Sequence, residues 1–489
     1  MSTYKHGVYT SEKETQMLAP VLGTAGLQVV VGTAPVNTVN NPAAAVNKPI
    51  LANSYQEAVE AVGFSSDFAS YTLCESIAAT FNVINTGPII LINVLNPSTH
   101  KKAMTGGAIQ VNDNVAKITE IGVIDDSNLT VTIGTGQDAV TLVKGTDYET
   151  AFNADGTLNL IMISVQAKAA TAVNVAGYKI DPTAVDDDDI VGSVNPSTGA
   201  ETGLEVVRQI FPKFGMTPGI LLAPRFSKSA KVAAALQAKT KEINGVFKCV
   251  TVIDIDSETE NGAKVYTDVR DVKTAQAVSD ANAYAVWPFA AIGDTVYSGS
   301  SLAAALTAYV DAVNDDTPNV SPSNKTLTIS KACLPDGTEV VLDQDQANTI
   351  NSFGVATFLN FQGFRLWGNN TAAYPGTTDP KDRWFSVKRF MLWSQNTFIL
   401  TYFQEVDDPA NPRKIEKIVD NENVRGNGFV ARGICARYEI VYNEEENTTA
   451  DLLNGVIRFH QYVSPYVPAE VIEDVFEFDA DALAASLSA

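Results

Sequence analysis

Two groups of aspartates are, by type and spacing, the residues in this sequence that are best placed to hold a ligand. Asp186 to Asp189 are four consecutive acids that could collect a hard cation such as calcium, but they lack a glycine-spaced ligand loop and also fit a solvated loop. Asp254 and Asp256 end a predicted strand, at the position where α/β enzymes bind ligands. Because no glycine-rich loop or basic partner accompanies them, they also fit a strand-end cap. We predict no metal site at either group.

The common catalytic and nucleotide-binding motifs are absent from the sequence. It has neither a Gly-x-x-x-x-Gly-Lys-Ser/Thr loop nor a Gly-x-Ser-x-Gly elbow. Its three histidines, His6, His100 and His460, lie too far apart along the chain to suggest a base or a ligand set. We therefore predict no enzyme activity, no catalytic residue and no cofactor, so any work must come from folding or packing energy.

Composition places the chain among globular proteins. It has 489 residues, of which 45% are hydrophobic and 18% charged, enough for about two to four domains. A formal charge of −22, without any run of Lys or Arg, would repel nucleic acid. The longest apolar stretch, Pro88 to Leu95, falls short of the roughly 20 residues that cross a bilayer, and the N-terminus lacks the pattern of a signal peptide. We expect a cytoplasmic product without membrane insertion, whose four scattered cysteines are core residues.

Hydrophobic periodicity predicts an α/β core that is interrupted by a β-rich insert. Strand and helix patterns alternate up to about Pro97, and then give way to short segments rich in Thr, Val, Asn and Gly up to about Ala200. Residues 98–207 contain 15 acids and 6 bases, so we expect this insert to face outward. The expected fold class is α/β and α+β multidomain, with an inserted all-β domain, a mixed α+β C-terminal domain and extended terminal arms. The predicted boundaries are 1–25 for an N-terminal arm, 26–97 with 208–320 for a discontinuous α/β core, 98–207 for the insert, 321–465 for the C-terminal domain and 466–489 for a C-terminal strand arm.

The individual elements follow from the same patterns. Predicted strands are Gly26 to Gly32, Ile89 to Val94, Gly219 to Ala223, Val246 to Ile255, Tyr284 to Phe289, a hairpin of Val355 to Phe361 with Phe364 to Trp367, and Phe429 to Tyr442. Predicted helices are Ser54 to Val62, Tyr71 to Ile84, Lys228 to Ile243 capped by Ser227, Ser301 to Val313, Trp384 to Glu405, a short helix between Pro412 and Asn421, and Thr449 to Leu453.

The end of the chain reads as a strand that has no partner within its own domain. From Glu470 to Asp479 a two-residue period places Ile472, Phe476 and Phe478 on one face, and Val471 and Val475 among acids on the other. The segment follows a linker with two prolines. It must therefore fray or add itself to an exposed sheet edge, including that of another molecule.

The beginning of the chain is also short and β-prone, from Tyr4 to Glu12. Two such ends suggest a polymer. In collinear order, both ends and the segment near Trp384 resemble the contractile-tail sheath proteins of bacteriophages and R-type bacteriocins. The resembling residues are Gly7-Val8-Tyr9 with Glu12, then Trp384, Val387, Lys388 and Arg389, and then Asn447-Thr448, Asn454-Gly455, Pro465 and Pro468-Ala469-Glu470 with Ile472.

This resemblance implies a structural subunit that stacks in rings around a tail tube and contracts to drive the tube through a bacterial envelope. It implies six subunits per ring with helical stacking, and terminal strands that each subunit lends to its neighbours. The implied partners are further copies of the chain, the tail tube protein, and baseplate and tail-terminator proteins. The implied location is a virion tail or tail-like particle assembled in the host cytoplasm. The subunit-linking residues would be Gly7, Val8, Tyr9, Glu12, Ile472, Val475, Phe476 and Phe478.

One basic segment stands out against the acidic chain. Residues 381–437 carry 10 Lys or Arg and 7 Asp or Glu. Arg413, Lys414 and Lys417 are candidates to face the tail tube, although a solvated helix fits them too. Two other classes of protein remain open, a self-assembling surface or adhesion protein and an α/β enzyme. Trp367, Trp384 and Trp393 fit either core and interface packing or a stacking platform.

Overall fold

The computed structural model describes residues 24–487. Most of the predicted N-terminal arm, including Gly7, Val8, Tyr9 and Glu12, lies outside the described residues. Up to the end of the insert the elements are β1 (Gln28–Gly32), β2 (Pro49–Ala52), α1 (Tyr55–Val62), α2 (Thr72–Ile77), β3 (Ile89–Asn93), β4 (Lys101–Ala103), β5 (Gly107–Asn112), β6 (Val115–Ile118), β7 (Thr130–Ile133), β8 (Val140–Leu142), β9 (Tyr148–Phe152), β10 (Leu158–Met162), α3 (Val165–Ala169), β11 (Ala172–Ala176), β12 (Tyr178–Ile180) and α4 (Asp187–Val191).

The second part of the chain returns to the core and ends with a helix-rich region. Its elements are α5 (Ile210–Phe214), β13 (Ile220–Leu222), α6 (Ala230–Lys239), β14 (Val250–Asp254), α7 (Val269–Ala275), β15 (Ala283–Val286), β16 (Phe289–Ile292), β17 (Thr295–Tyr297), α8 (Gly299–Ala312), β18 (Lys331–Cys333), α9 (Gln344–Ser352), β19 (Val355–Asn360), β20 (Phe364–Trp367), α10 (Pro380–Arg383), α11 (Phe385–Tyr402), α12 (Pro412–Ala431), β21 (Cys435–Val441), α13 (Thr449–Leu453), β22 (His460–Pro465) and α14 (Ala480–Leu487).

An eight-stranded sheet forms the core, in the order β2-β3-β1-β13-β14-β15-β19-β20. The six inner strands are parallel, and the two edge strands are antiparallel to their neighbours. Every residue of β1, β3 and β14 is buried. Strands covered by helices on both faces must be apolar throughout, which explains the unbroken runs of Val and Ile in the sequence. The sheet continues across the boundary predicted at residue 320, because β19 and β20 belong to it.

The insert is a second sheet with its own core. Its seven antiparallel strands run in the order β8-β7-β11-β5-β6-β10-β9. Leu142 on one edge strand and Tyr148 on the other pack into the same hydrophobic cluster, so the sheet wraps around it. The chain leaves and returns through the pair β4–β12, in which Ala103 lies opposite Tyr178. Two short helices, α3 and α4, depart from the predicted all-β composition of residues 98–207.

Several sequence predictions need correction. The helix predicted from Lys228 begins only at Ala230, and its N-cap residue is Ser229. The Ser227 hydroxyl, predicted to cap this helix, forms hydrogen bonds with Asp254 instead. The short helix predicted after Pro412 continues to Ala431 and takes up the start of the strand predicted from Phe429. Ile418, Glu422, Gly426 and Phe429 are buried at helical spacing, which explains the longer helix. Residues 470–479, predicted as a strand, pair with no strand in the described chain.

Candidate functional site

The small sheet β21–β22 is the site where the described chain could join another strand. One of its faces packs on α11 and α12 through an aromatic cluster of Phe390, Trp393, Phe429 and Tyr438. The rings meet edge-on or tilted, the arrangement that aromatic quadrupoles favour. The other face is exposed and carries Arg437, whose guanidinium lies 4.0 Å from the ring centroid of Tyr462. The helices therefore hold the sheet in place and leave its other face accessible.

A buried carboxylate fixes the sheet to α12. Glu422 is 1% exposed and accepts hydrogen bonds from the hydroxyls of Tyr402 and Tyr438, both at 3.1 Å, and from Nε2 of Gln461 at 3.0 Å. It also pairs with Arg425 on the same helix. Burial raises the pKa of the Tyr438 hydroxyl to about 12, so this group donates as a neutral phenol. Because the Glu422 carboxylate binds Tyr438 on β21 and Gln461 on β22, it links both strands to α12.

The two edges of this sheet differ. Nδ2 of Asn423 donates to the Ile440 carbonyl at 3.0 Å, and Oδ1 of Asn423 accepts from the Ile440 N–H at 2.8 Å. Since both backbone groups of Ile440 bind the helix, they point away from β22. The outer edge of β21 is therefore closed at Ile440 by a side-chain amide that imitates a neighbouring strand.

The outer edge of β22 is open. Gln461 lies opposite Ile440, and Val463 lies opposite Tyr438. In an antiparallel ladder these are non-hydrogen-bonded pairs, so the backbone groups of Gln461 and Val463 also point outward. No described residue binds them there. An exposed row of donors and acceptors is a template for strand addition.

The chain leaves β22 as an extended and exposed segment. Within it the predicted linking residues Ile472, Val475, Phe476 and Phe478 are 88%, 79%, 91% and 78% exposed. The structure thus brings none of these four into contact with the sheet of its own chain. The last side-chain contact before them is the ion pair between Glu470 Oε2 and Arg383 Nη2, at 2.7 Å.

The predicted tube-facing residues differ from one another in the structure. The Lys414 side chain is 11% exposed, and its Nζ donates to the Glu405 carbonyl at 2.5 Å. Lys417 pairs with the Glu405 carboxylate at 2.8 Å. Arg413 is exposed, and its side chain makes no hydrogen bond or ion pair with another described residue. Of the three, Arg413 is the cation that is available to a partner.

The run Asp186 to Asp189 stabilises local structure and packing between elements. Asp186 caps the N-terminus of α4, so the predicted solvated loop is wrong at this point. Asp187 accepts from the Ser229 hydroxyl at 2.5 Å, and Asp188 pairs with Lys231, so the run joins the end of the insert to α6 of the core. Among residues 24–487, no cluster of three or more His, Cys, Asp or Glu is arranged to hold a metal.

Asp254 and Asp256 act as caps. The Asp254 carboxylate accepts from the Ser300 N–H at 2.7 Å and from the Ser300 hydroxyl at 2.5 Å, at the start of α8. Burial raises its pKa to about 6 against the opposing effect of these bonds. Asp256 accepts from the N–H groups of Glu258 and Thr259, at 2.9 and 3.1 Å. These contacts favour the strand-end interpretation over a ligand site.

Comparison with known proteins agrees with this geometry. A family model described as the phage tail sheath protein central domain matches residues 214–404. The chain is also 25% identical, over 477 residues, to the tail sheath protein of Burkholderia phage BcepMu, with 95% of each chain covered. These matches support a contractile tail sheath protein. A putative prophage major tail sheath protein of Pseudomonas aeruginosa is 23% identical over 337 residues, which cover 68% of this chain and 83% of that one.

Solved structures show the same fold as this sheath protein. A chain in the baseplate of the anti-feeding prophage has a TM-score of 0.58 and 13% identity, covering 98% of this chain and 100% of that one. The contracted sheath complex of an extracellular contractile injection system gives a TM-score of 0.58 at 13% identity, with 99% of each chain covered. The sheath tail protein of Desulfitobacterium hafniense gives 0.53 at 12%, covering 94% and 96%. The predicted resemblance is therefore confirmed.

The family gives the protein a structural role in a contractile tail, as a component of a phage or tail-like particle. Within the described range 24–487, no helix combines the length and the apolar character that a membrane span requires. Arg383 and Asn423 are the site residues that the sequence did not reveal. Each binds a residue that is distant in sequence, Glu470 and Ile440 respectively, so no local sequence pattern predicts the contact.

Proposed function

We propose that this sheath protein polymerises as stacked rings of six around a tail tube and contracts to drive the tube through a bacterial envelope. The observation that carries the proposal is the pairing of an open strand edge with an unpaired apolar arm on the same chain. An edge that fits a strand, and a strand that lacks an edge, are complementary between copies. Copies joined in this way form a heterologous contact, which closes around a ring or continues along an axis.

The arm of one copy adds to the open edge of β22 in the next. β22 spans the six residues His460–Pro465, and the ten residues Glu470–Asp479 are long enough to cover it. The alternation of Ile472, Phe476 and Phe478 gives that strand one apolar face to set against its neighbour. The N-terminal residues Gly7, Val8, Tyr9 and Glu12 supply a second linking arm in this proposal.

The partners follow from the same role. Further copies of the chain form the lattice, and the tail tube fills its lumen. Baseplate and tail-terminator proteins contact its two ends. We assign the tube contact to Arg413, with Lys417 beside it, because a rim-like ion pair of about 0–1 kcal/mol positions a ring and still breaks on contraction. The acidic insert, residues 98–207, lies on the outer surface, and the particle assembles in the host cytoplasm without cofactor or enzymatic activity.

Truncation tests the proposal. Removing residues 470–489 should leave a folded subunit that builds no cylinders in negative-stain electron microscopy, because the exposed arm contributes nothing to its own core. Removing only residues 480–489 is the matched control, since it deletes the exposed helix α14 and keeps the arm. This shorter truncation should still polymerise. Cylinders from the longer truncation, equal to those of the intact chain, would contradict strand addition.

A further inference from the structure

We propose that Arg383 and the groove beside it form a receptor for the carboxylate at the root of the C-terminal arm. The receptor fixes the point at which the arm leaves the subunit. This inference rests on the proposed linking function of the arm, and it assigns to one side chain the control of where the arm can reach. Arg383 would thus be a positioning residue for the contact between copies.

Arg383 is held ready for a carboxylate on three sides. Its guanidinium lies 4.0 Å from the ring centroid of Trp384 and 4.6 Å from that of Tyr374. Its Nε donates to Oδ1 of Asn370 at 3.0 Å, and Asn370 is itself 5% exposed. Stacking and this bond fix the plane of the guanidinium and leave Nη2 directed at Glu470. Such pre-organisation lowers the entropy that the side chain loses when it binds a carboxylate.

Among the described residues, Glu470 makes the last hydrogen bond or ion pair between the tail and the rest of its own subunit before α14. Before it, the Tyr466 N–H donates to the Ile434 carbonyl at 3.3 Å, next to the end of β22. After it, residues 471–478 make no hydrogen bond or ion pair with another described residue, and all are exposed. The ion pair therefore divides the tail into a held root, residues 466–470, and a free arm.

The root lies along a groove of about 790 Å³. The root lines it together with Val471 and Ile472 of the arm and the cations Arg383 and Lys325. The rest of the lining is mostly amide and hydroxyl side chains, among them Asn319, Ser323 and Asn348. Side chains of this kind both donate and accept, which suits the unpaired backbone groups of an extended peptide. The groove thus suits a segment without secondary structure, and Arg383 pairs with the acid that this segment carries.

Release of the ion pair would change the reach of the arm. While Glu470 is held, the free strand begins at Val471. Once it is released the strand begins at Val467, because the Tyr466 N–H still binds the Ile434 carbonyl. At roughly 3.3 Å per residue the four added residues extend the reach by about 13 Å. A fixed origin also keeps the arm at a high effective concentration near one target, whereas a longer tether spreads it over several.

Chymotrypsin cleavage of the full-length subunit, followed by mass spectrometry, measures the root and the free arm separately. Cleavage after Tyr466 reports the root, and cleavage after Phe476 reports the arm. Glu470→Gln should raise the rate after Tyr466 by about two- to fivefold, the factor that a partly exposed ion pair supplies, and leave the rate after Phe476 unchanged. Arg383→Ala should do the same, and the charge exchange Arg383→Glu with Glu470→Arg should restore the slower rate.

Lys381→Ala is the matched control, because Lys381 lies on the same short helix α10 and, within residues 24–487, its ion pairs are those with Asp379 and Asp382. It should not change either rate. Glu470→Gln alters only the arm, so it keeps the test valid if Arg383→Ala perturbs folding. Unchanged cleavage after Tyr466 in Glu470→Gln would overturn the receptor. If cleavage rises but the subunit without residues 470–489 still forms cylinders, the receptor stands and the proposed linking function fails.

Discussion

Replacing Arg389 with Ala should destabilise the sheath protein more than any loss of a surface charge. Arg389, on α11, is 3% exposed, and Nη1 donates to Oδ1 of Asp311 on α8 at 2.8 Å. Nη2 donates to Oδ2 of Asp311 and, at 3.1 Å, to the carbonyl of Ala25. Asp311 is 1% exposed, so the substitution leaves a buried carboxylate without its guanidinium. Breaking a buried pair in this way costs about 3–5 kcal/mol of unfolding free energy.

The pH dependence of this loss has a definite sign. Burial raises the pKa of Asp311, and Arg389 opposes the rise. Without Arg389 the pKa rises further, so the variant can relieve its penalty by protonating the carboxyl. When a carboxyl has a raised pKa in the folded state, the unfolding free energy of the protein falls as pH rises above the carboxyl's unfolded pKa of about 3.9. The difference between wild type and Arg389→Ala should therefore increase as pH rises above about 4.

Urea unfolding followed by tryptophan fluorescence measures the effect. The four tryptophans, at positions 287, 367, 384 and 393, all lie outside the insert, so the signal reports the core and the C-terminal region. Lys381→Ala removes an exposed cation and should shift the unfolding free energy by less than about 1 kcal/mol. Arg389→Met with Asp311→Leu should recover most of the loss, because it leaves no unpaired charge. A shift below about 1 kcal/mol for Arg389→Ala at pH 7–8 would refute the reasoning.

Three further predictions concern separate parts of the molecule. Replacing residues 105–176 with an Asn-Gly turn should keep the core folded, because β4 and β12 already form an antiparallel pair that a short turn can close. Electron microscopy should still show cylinders. A folded core that no longer assembles would place lattice contacts in the insert. The wild-type protein should lose about 3 kcal/mol of unfolding free energy as pH rises from about 4 to about 6, because the Asp254 carboxyl has a pKa of about 6 in the folded state and about 3.9 in the unfolded state. Asp254→Asn should abolish this pH dependence. Parallel pH profiles of urea unfolding for the two proteins would contradict the prediction. Arg413→Glu should weaken assembly on the tail tube in a co-sedimentation assay, as added salt should for wild type, whereas Lys381→Glu should not; normal tube binding by Arg413→Glu would show that this helix is only solvated.

The sequence alone determined those features that depend on local periodicity. Unbroken runs such as Ile89 to Val94 identify strands covered on both faces, and Gln362-Gly363 between two apolar segments identifies the hairpin β19–β20. The alternating apolar residues of the tail, together with the acids among them, likewise indicated a segment that lacks a place in its own core. The resemblance to the sheath family rested on the collinear order of such short segments.

Only the tertiary structure decided which groups face one another. Asn423 closes one sheet edge because α12 runs on to Ala431 and brings its amide to Ile440, 17 residues away in sequence. Arg383 meets Glu470 across 87 residues, a contact that no local spacing encodes. The polarity of a residue follows from its type, but its partner depends on how helices and strands pack over long sequence distances. For that reason the sequence pattern could indicate a polymer, whereas the open edge of β22 and the attachment of the arm at Glu470 became visible only in the tertiary structure.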